Sequence, residues 1–123
     1  LSLVDLSSNN FEGPLPRISK GIRALILDEN KLNGTIENLY DLDGLRMVNL
    51  RNNSFTGQIS FTLKQWLTIE TLILSNNQFT TVKEDNVTMK KGSICFLQEN
   101  AFRCPLPQWV TSKCFAICNY DLT

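Results

Sequence analysis

Four cysteines carry the clearest chemistry in this sequence: Cys95, Cys104, Cys114 and Cys118, all within the last 123 − 95 + 1 = 29 residues of the 123. An even number clustered at one end predicts two disulfides, and disulfides imply an oxidising compartment. A zinc site is the competing use, because Cys114-x-x-x-Cys118 approaches ligand spacing. The chain has no C-x-x-C knuckle and no histidine, so disulfides are the expectation. Three N-x-[ST] triplets, at Asn33, Asn52 and Asn86, are candidate N-glycosylation sites. Asn86 is the first choice among them, since it lies in a polar segment where a glycan has room. Without histidine, neither a Ser-His-Asp nor a Cys-His nucleophile system can be assembled. Adjacent carboxylates occur at Asp28-Glu29 and Glu84-Asp85. The first pair sits at a strand end with its side chains diverging, and the second lies in a polar loop. Neither spans a cleft as glycoside hydrolysis requires. No glycine-rich phosphate loop is present, so the expectation is a non-enzyme with no cofactor and no metal.

Twelve acidic residues balance twelve basic ones, and no block of like charge stands out. That removes the electrostatic argument for nucleic acid or an anionic membrane. No apolar run approaches the roughly 20 residues of a membrane span.

The elements that must position these residues repeat. Leu45-x-x-Val48-x-Leu50-x-x-Asn53-x-Phe55-x-Gly57-x-Ile59 is the fullest copy, with related copies starting at Leu1, Ile22 and Ile69 and a degenerate one at Cys95. The anchoring asparagines are Asn9, Asn30, Asn53, Asn77 and Asn100, with steps of 30 − 9 = 21, 53 − 30 = 23, 77 − 53 = 24 and 100 − 77 = 23. Within each copy the alternation around Val48 and Leu50 predicts a strand with one buried face. The asparagine then breaks the alternation, and its side chain replaces ladder bonds lost at a bend. One unit cannot bury its apolar side alone, so the copies must stack. Apolar residues recur about every three in the return segments, as Ile36, Leu39, Leu42, Leu45 and Val48, then Ile59, Leu63, Trp66, Ile69 and Leu72. This spacing favours 3₁₀ turns or extended chain over a full α-helix, and Trp66 is expected in the core.

These copies resemble the plant-type leucine-rich repeat, L-x-x-L-x-L-x-x-N-x-L-x-G-x-I-P, most closely at residues 1–16, although Glu37 and Ser60 stand where that pattern has proline. The resemblance covers about residues 1–118 and implies an α/β-type solenoid. That fold is a right-handed horseshoe of short parallel strands with 3₁₀ or extended returns and little true α-helix. The cysteine-rich ending looks similar to the caps of protist surface proteins. Residues 1–94 are expected to hold four repeats and a connecting loop, and 95–123 the final repeat and cap. Because Leu1 already occupies the first position of a repeat, without a polar capping element, we expect further repeats before it.

The surface able to recognise something is the outward side of the parallel strands. Its rows are Leu3, Ala24, Met47, Thr71, Ile94; then Asp5, Ile26, Asn49, Ile73, Phe96; then Ser7, Asp28, Arg51, Ser75, Gln98. Leu3, Ile26, Met47, Asn49, Arg51, Ile73, Ile94 and Phe96 are the candidate partner-binding residues, and they are more apolar than an idle wet surface needs. The expected function is an extracellular recognition module, secreted or at the cell surface, that binds a protein, peptide or glycan. The alternative is a structural subunit whose partners are copies of itself or its parent assembly. All five ladder asparagines are expected to be buried. A cap that keeps the coil's period puts Cys118 beneath Cys95, since 118 − 95 = 23. That favours Cys95–Cys118 and leaves Cys104–Cys114.

Overall fold

A computed structural model describes residues 2–83 and 87–122. Five three-residue strands, β1 (Leu3–Asp5), β3 (Ala24–Ile26), β5 (Met47–Asn49), β7 (Thr71–Ile73) and β9 (Ile94–Phe96), form one parallel sheet in that order. A second parallel sheet, β2 (Glu12–Pro14), β4 (Lys31–Gly34), β6 (Ser54–Ile59) and β8 (Gln78–Val82), follows the bends. The sequence pattern does not announce it, because β2 and β6 run through the glycine that breaks the alternation and β4 ends on it. Gly57 has φ of 88°, and a Cβ there would come within 3.2 Å of the Thr35 methyl carbon. Glycine meets both demands.

Between the sheets each coil turns through a non-glycine residue in the left-handed region: Ser8, Glu29, Asn52, Asn76 and Glu99, with φ of 55–58°. The asparagine that follows holds this turn. Asn77 Nδ2 donates to the carbonyls of Leu74 (3.2 Å), Ser75 (3.3 Å) and, one coil back, Leu50 (2.9 Å). Its Oδ1 accepts from the Phe55 N–H at 3.0 Å. Asn30, Asn53 and Asn100 repeat the pattern against their own preceding coils. Uniform burial is corrected: Asn30 and Asn77 are buried, Asn53 and Asn100 are half-buried, and Asn9 is exposed. Burial comes from the coil before, and Asn9 reaches only the carbonyls of Leu6 and Ser7 in its own turn. Asn77→Ala strands buried backbone groups and should cost about 1–3 kcal/mol. Asn9→Ala should cost clearly less, and paired chemical denaturation of the two variants measures the difference.

The core lies between the sheets and the returns. Leu25, Val48, Leu72 and Cys95 project inward from the strands, and Leu32, Phe55, Phe79 and Phe102 form a second column. In the third coil's approach the three-residue series Ile36, Leu39, Leu42, Leu45 is fully buried, with a 3₁₀ turn at Glu37–Leu39. The next return differs from expectation. It contains a helix, α1 (Leu63–Thr68), started by a capping box in which Thr62 and Gln65 bond each other's backbone. The helix turns Leu63 out to 54% exposure and brings Phe61 and Trp66 inside. Gln65 is fully buried and donates to the carbonyls of Leu39 and Leu42 at 2.7 and 3.1 Å. It thereby adds a second donor to carbonyls that already accept the Leu42 and Leu45 N–H groups, and ties the two returns together.

The cap also departs from expectation. A short helix, α2 (Gln108–Lys113), seats Val110 in the core and Trp109 against Trp66 with ring centres 4.8 Å apart. This final coil is tighter than the others: Phe115 pairs beside Phe96, a step of 115 − 96 = 19. Cys114, not Cys118, therefore arrives beneath Cys95. The disulfides are Cys95–Cys114 and Cys104–Cys118, with Cα separations of 4.6 and 5.1 Å, and the expected Cys95–Cys118 and Cys104–Cys114 pairs are corrected. A bridge between Arg103 and Asn119 brings the second pair together.

Candidate functional site

The outward rows of the five-stranded sheet are in register. Leu3, Ala24, Met47, Thr71 and Ile94 align across the strands, and so do Asp5, Ile26, Asn49, Ile73 and Phe96. Alternation explains the side they take, since the middle residue of each three-residue strand points inward. Leu3 and Ile94 are exposed, while Ile26, Met47, Asn49, Ile73 and Phe96 are half-buried against their row neighbours. Arg51 is exposed, and its guanidinium stands 3.7 Å from Glu29, a surface pair that contributes about 0–1 kcal/mol. The Arg51 N–H also donates to Asn49 Oδ1 at 3.2 Å, fixing the exit from β5. The third row is less open than expected: Ser75 is buried and Gln98 is half-buried.

Charge is held at the edges of this face. The Asp5 carboxyl lies below its ordinary pKa because the Ser7 hydroxyl and N–H donate to it at 2.8 and 3.1 Å. Glu70 is likewise lowered, first by the hydrogen bond from Lys90 at 2.7 Å and by that cation's charge. Arg46 stands 3.7 Å from the same carboxylate. Along the other rim, Asn76 donates to Asn52, and Ser8 donates to Glu29 at 3.1 Å. Of the glycosylation candidates, Asn33 is exposed on β4, Asn52 sits on this rim, and Asn86 lies outside the described residues.

Two residues of the face escaped the sequence reading. Phe115 bridges in parallel to Phe96, with the Leu97 N–H donating to the Phe115 carbonyl at 2.7 Å and ring centres 5.3 Å apart. Phe115 thus adds a sixth position to the second row, and Ile117 lies two residues further along the chain. They are 69% and 75% exposed. Only the shortened final step reveals them, and no repeat pattern in the sequence announces that step.

Among the described residues, no group of histidine, cysteine, aspartate and glutamate side chains could hold a metal ion, and no helix is long and apolar enough to cross a membrane. The arrangement is a rigid strip of apolar side chains bordered by charged and amide groups. Its chemistry is that of contact with an extended or flat partner surface.

Stacked parallel coils, an asparagine ladder and an open strand face define a leucine-rich-repeat solenoid. The repeats are of the plant type. The family model described as Leucine Rich Repeat matches residues 44–66. Receptor-like protein 54 of Arabidopsis thaliana is 28% identical over 137 residues, covering 88% of this chain and 17% of that protein. Receptor-like protein EIX2 of Solanum lycopersicum is 29% identical over 76 residues, covering 60% of this chain and 7% of that one. Among solved structures, the leucine-rich-repeat ectodomain of the plant membrane receptor kinase GASSHO1/SCHENGEN3 from Arabidopsis thaliana, in complex with CASPARIAN STRIP INTEGRITY FACTOR 2, superposes with a TM-score of 0.70 at 22% identity. The match covers 96% of this chain and 15% of that one. The chain therefore spans less than a fifth of the length of these relatives. Two disulfides and the receptor-like relatives place it in a secreted or cell-surface setting.

Proposed function

We propose that this chain is a non-enzymatic recognition segment of an extracellular receptor-like protein, and that it binds a peptide or protein along the outward face of its five-stranded sheet. The observation that carries the reading is the aligned row Ile26, Asn49, Ile73, Phe96, Phe115, apolar but for Asn49, on a face otherwise edged with charge. A contiguous exposed apolar patch on a soluble scaffold usually marks a contact. The solved ectodomain of similar fold is held in complex with CASPARIAN STRIP INTEGRITY FACTOR 2, which fits the proposed use of such a scaffold. Residues 1–94 then act as the repeat scaffold, and residues 95–123 as the final coil and cap that close its core. N-glycans at Asn33 and Asn52, and at Asn86 beyond the described residues, fit this setting.

Ile73→Asp tests the reading. The side chain lies outside the core, so stability should move by about 0.5 kcal/mol while partner binding is lost. Thermal denaturation and a binding titration on the same variant measure the two effects. Unfolding would mean that the strand faces inward where the reading needs it outward. Self-association of the wild-type chain that Ile73→Asp disrupts would favour an assembly subunit instead.

A further inference from the structure

The outward face is not uniform along its length. At its first coils it carries Asp5, Asp28 and Glu29, and among the described residues only Glu29 has a cationic partner, Arg51. Asp28 is half-buried, and its carboxylate has no bonded partner among the described residues. Arg23 and Arg46 belong to the opposite rim, where they precede the strands, and Arg46 is drawn to Glu70. At the far end the face turns apolar: Ile94 is exposed, Phe96 packs against Phe115 with the rings tilted, and Ile117 is left three-quarters open at 75%. One end of the strip therefore attracts a cation, and the other end gains by covering aromatic and aliphatic surface.

Resting on the reading above, we propose that the occupant is an extended peptide with a cationic side chain and a bulky apolar side chain about six residues apart. The spacing follows from the coils. Asp28 follows β3 in the third row, and Phe115 lies four strand steps further along the sheet in the neighbouring second row. At about 4.8 Å per step the separation is about 19 Å, which an extended chain rising about 3.3 Å per residue covers in about six. The lysine or arginine sits over Asp5 and Asp28, and the apolar residue packs on Phe96, Phe115 and Ile117. Opposite charge at one end and apolar cover at the other set the order of the peptide along the strip.

A phage-displayed random library of peptides about nine residues long, selected on the disulfide-intact chain, tests this. Retained sequences should share lysine or arginine and a bulky apolar residue about five to seven positions apart. A synthetic peptide of that pattern should bind Asp28→Lys about tenfold more weakly or worse. Replacing its cation with glutamate should restore binding to Asp28→Lys, which a merely misfolded variant would not show. Phe115→Asp should weaken both peptides. Selection of no peptide, no shared spacing, or unchanged affinity for Asp28→Lys would each overturn the proposal. If Ile73→Asp still abolishes binding of the selected peptides in that last case, the recognition reading stands and the spacing falls alone. Selected peptides indifferent to Ile73→Asp would remove both.

Discussion

Phe55→Ala is expected to destabilise the chain by about 3–5 kcal/mol, the cost of emptying a large, well-packed core position. Phe55 is fully buried and stacks on Phe79, with ring centres 6.4 Å apart and planes 15° from parallel. Its backbone N–H is also the one that Asn77 Oδ1 receives. The cavity cannot close easily. Strand pairing of β6 with both β4 and β8 fixes the spacing of the coils on either side, so the surrounding side chains can only partly relax. Phe11 holds the same place in the first coil and is 46% exposed. Phe11→Ala should therefore cost about 1 kcal/mol or less. Chemical denaturation of the two variants side by side reads the difference. Equal losses would mean that the column is not a continuous core.

Removing the Cys95–Cys114 disulfide, as the double variant Cys95→Ala/Cys114→Ala, should cost about 3 kcal/mol in the loop-entropy account. The residues are 19 apart in sequence. Cys95 occupies the inward position that Val48 and Leu72 fill in earlier coils, so alanine also leaves a small void. The loss should be local before it is global. The Leu97 N–H, bonded to the Phe115 carbonyl at 2.7 Å, should exchange with solvent markedly faster, while the Leu50 N–H, bonded to the Ile73 carbonyl at 2.8 Å, should not. Peptide mapping without reduction should recover Cys95 linked to Cys114 and Cys104 linked to Cys118. A Cys95–Cys118 peptide would restore the full-period cap and displace Phe115 from the sheet.

The repeats were legible because their signals are local and recur. The asparagine ladder, the inward column of Leu25, Val48 and Leu72, and the outward rows all follow from a period of two inside each strand. Three features were not legible, each for a physical reason. The second sheet runs through Gly57, where strand alternation is interrupted. The helix α1 is only six residues long, too short for its apolar period to show, and its start depends on Thr62 and Gln65 bonding each other. The cap closes its coil in 115 − 96 = 19 residues, fewer than any repeat takes, and no periodic signal in the sequence marks that step. That shortening moved Cys114 under Cys95 and brought Phe115 and Ile117 to the outward face. Asn9 shows the converse limit: its residue type matches the ladder, but burial is a property of the neighbouring coil.

We propose recognition on the outward face of the five-stranded sheet and not on the outer surface of the coils. Leu67 on α1 offers the control, because it is 55% exposed on that outer surface. Peptides selected on the wild-type chain should be titrated against Ile73→Asp and Leu67→Asp, with the melting curve of each variant recorded alongside. Both variants should keep the wild-type melting transition, Leu67→Asp should bind as the wild type does, and Ile73→Asp should not bind. Lost binding in Leu67→Asp with retained binding in Ile73→Asp would contradict the proposal.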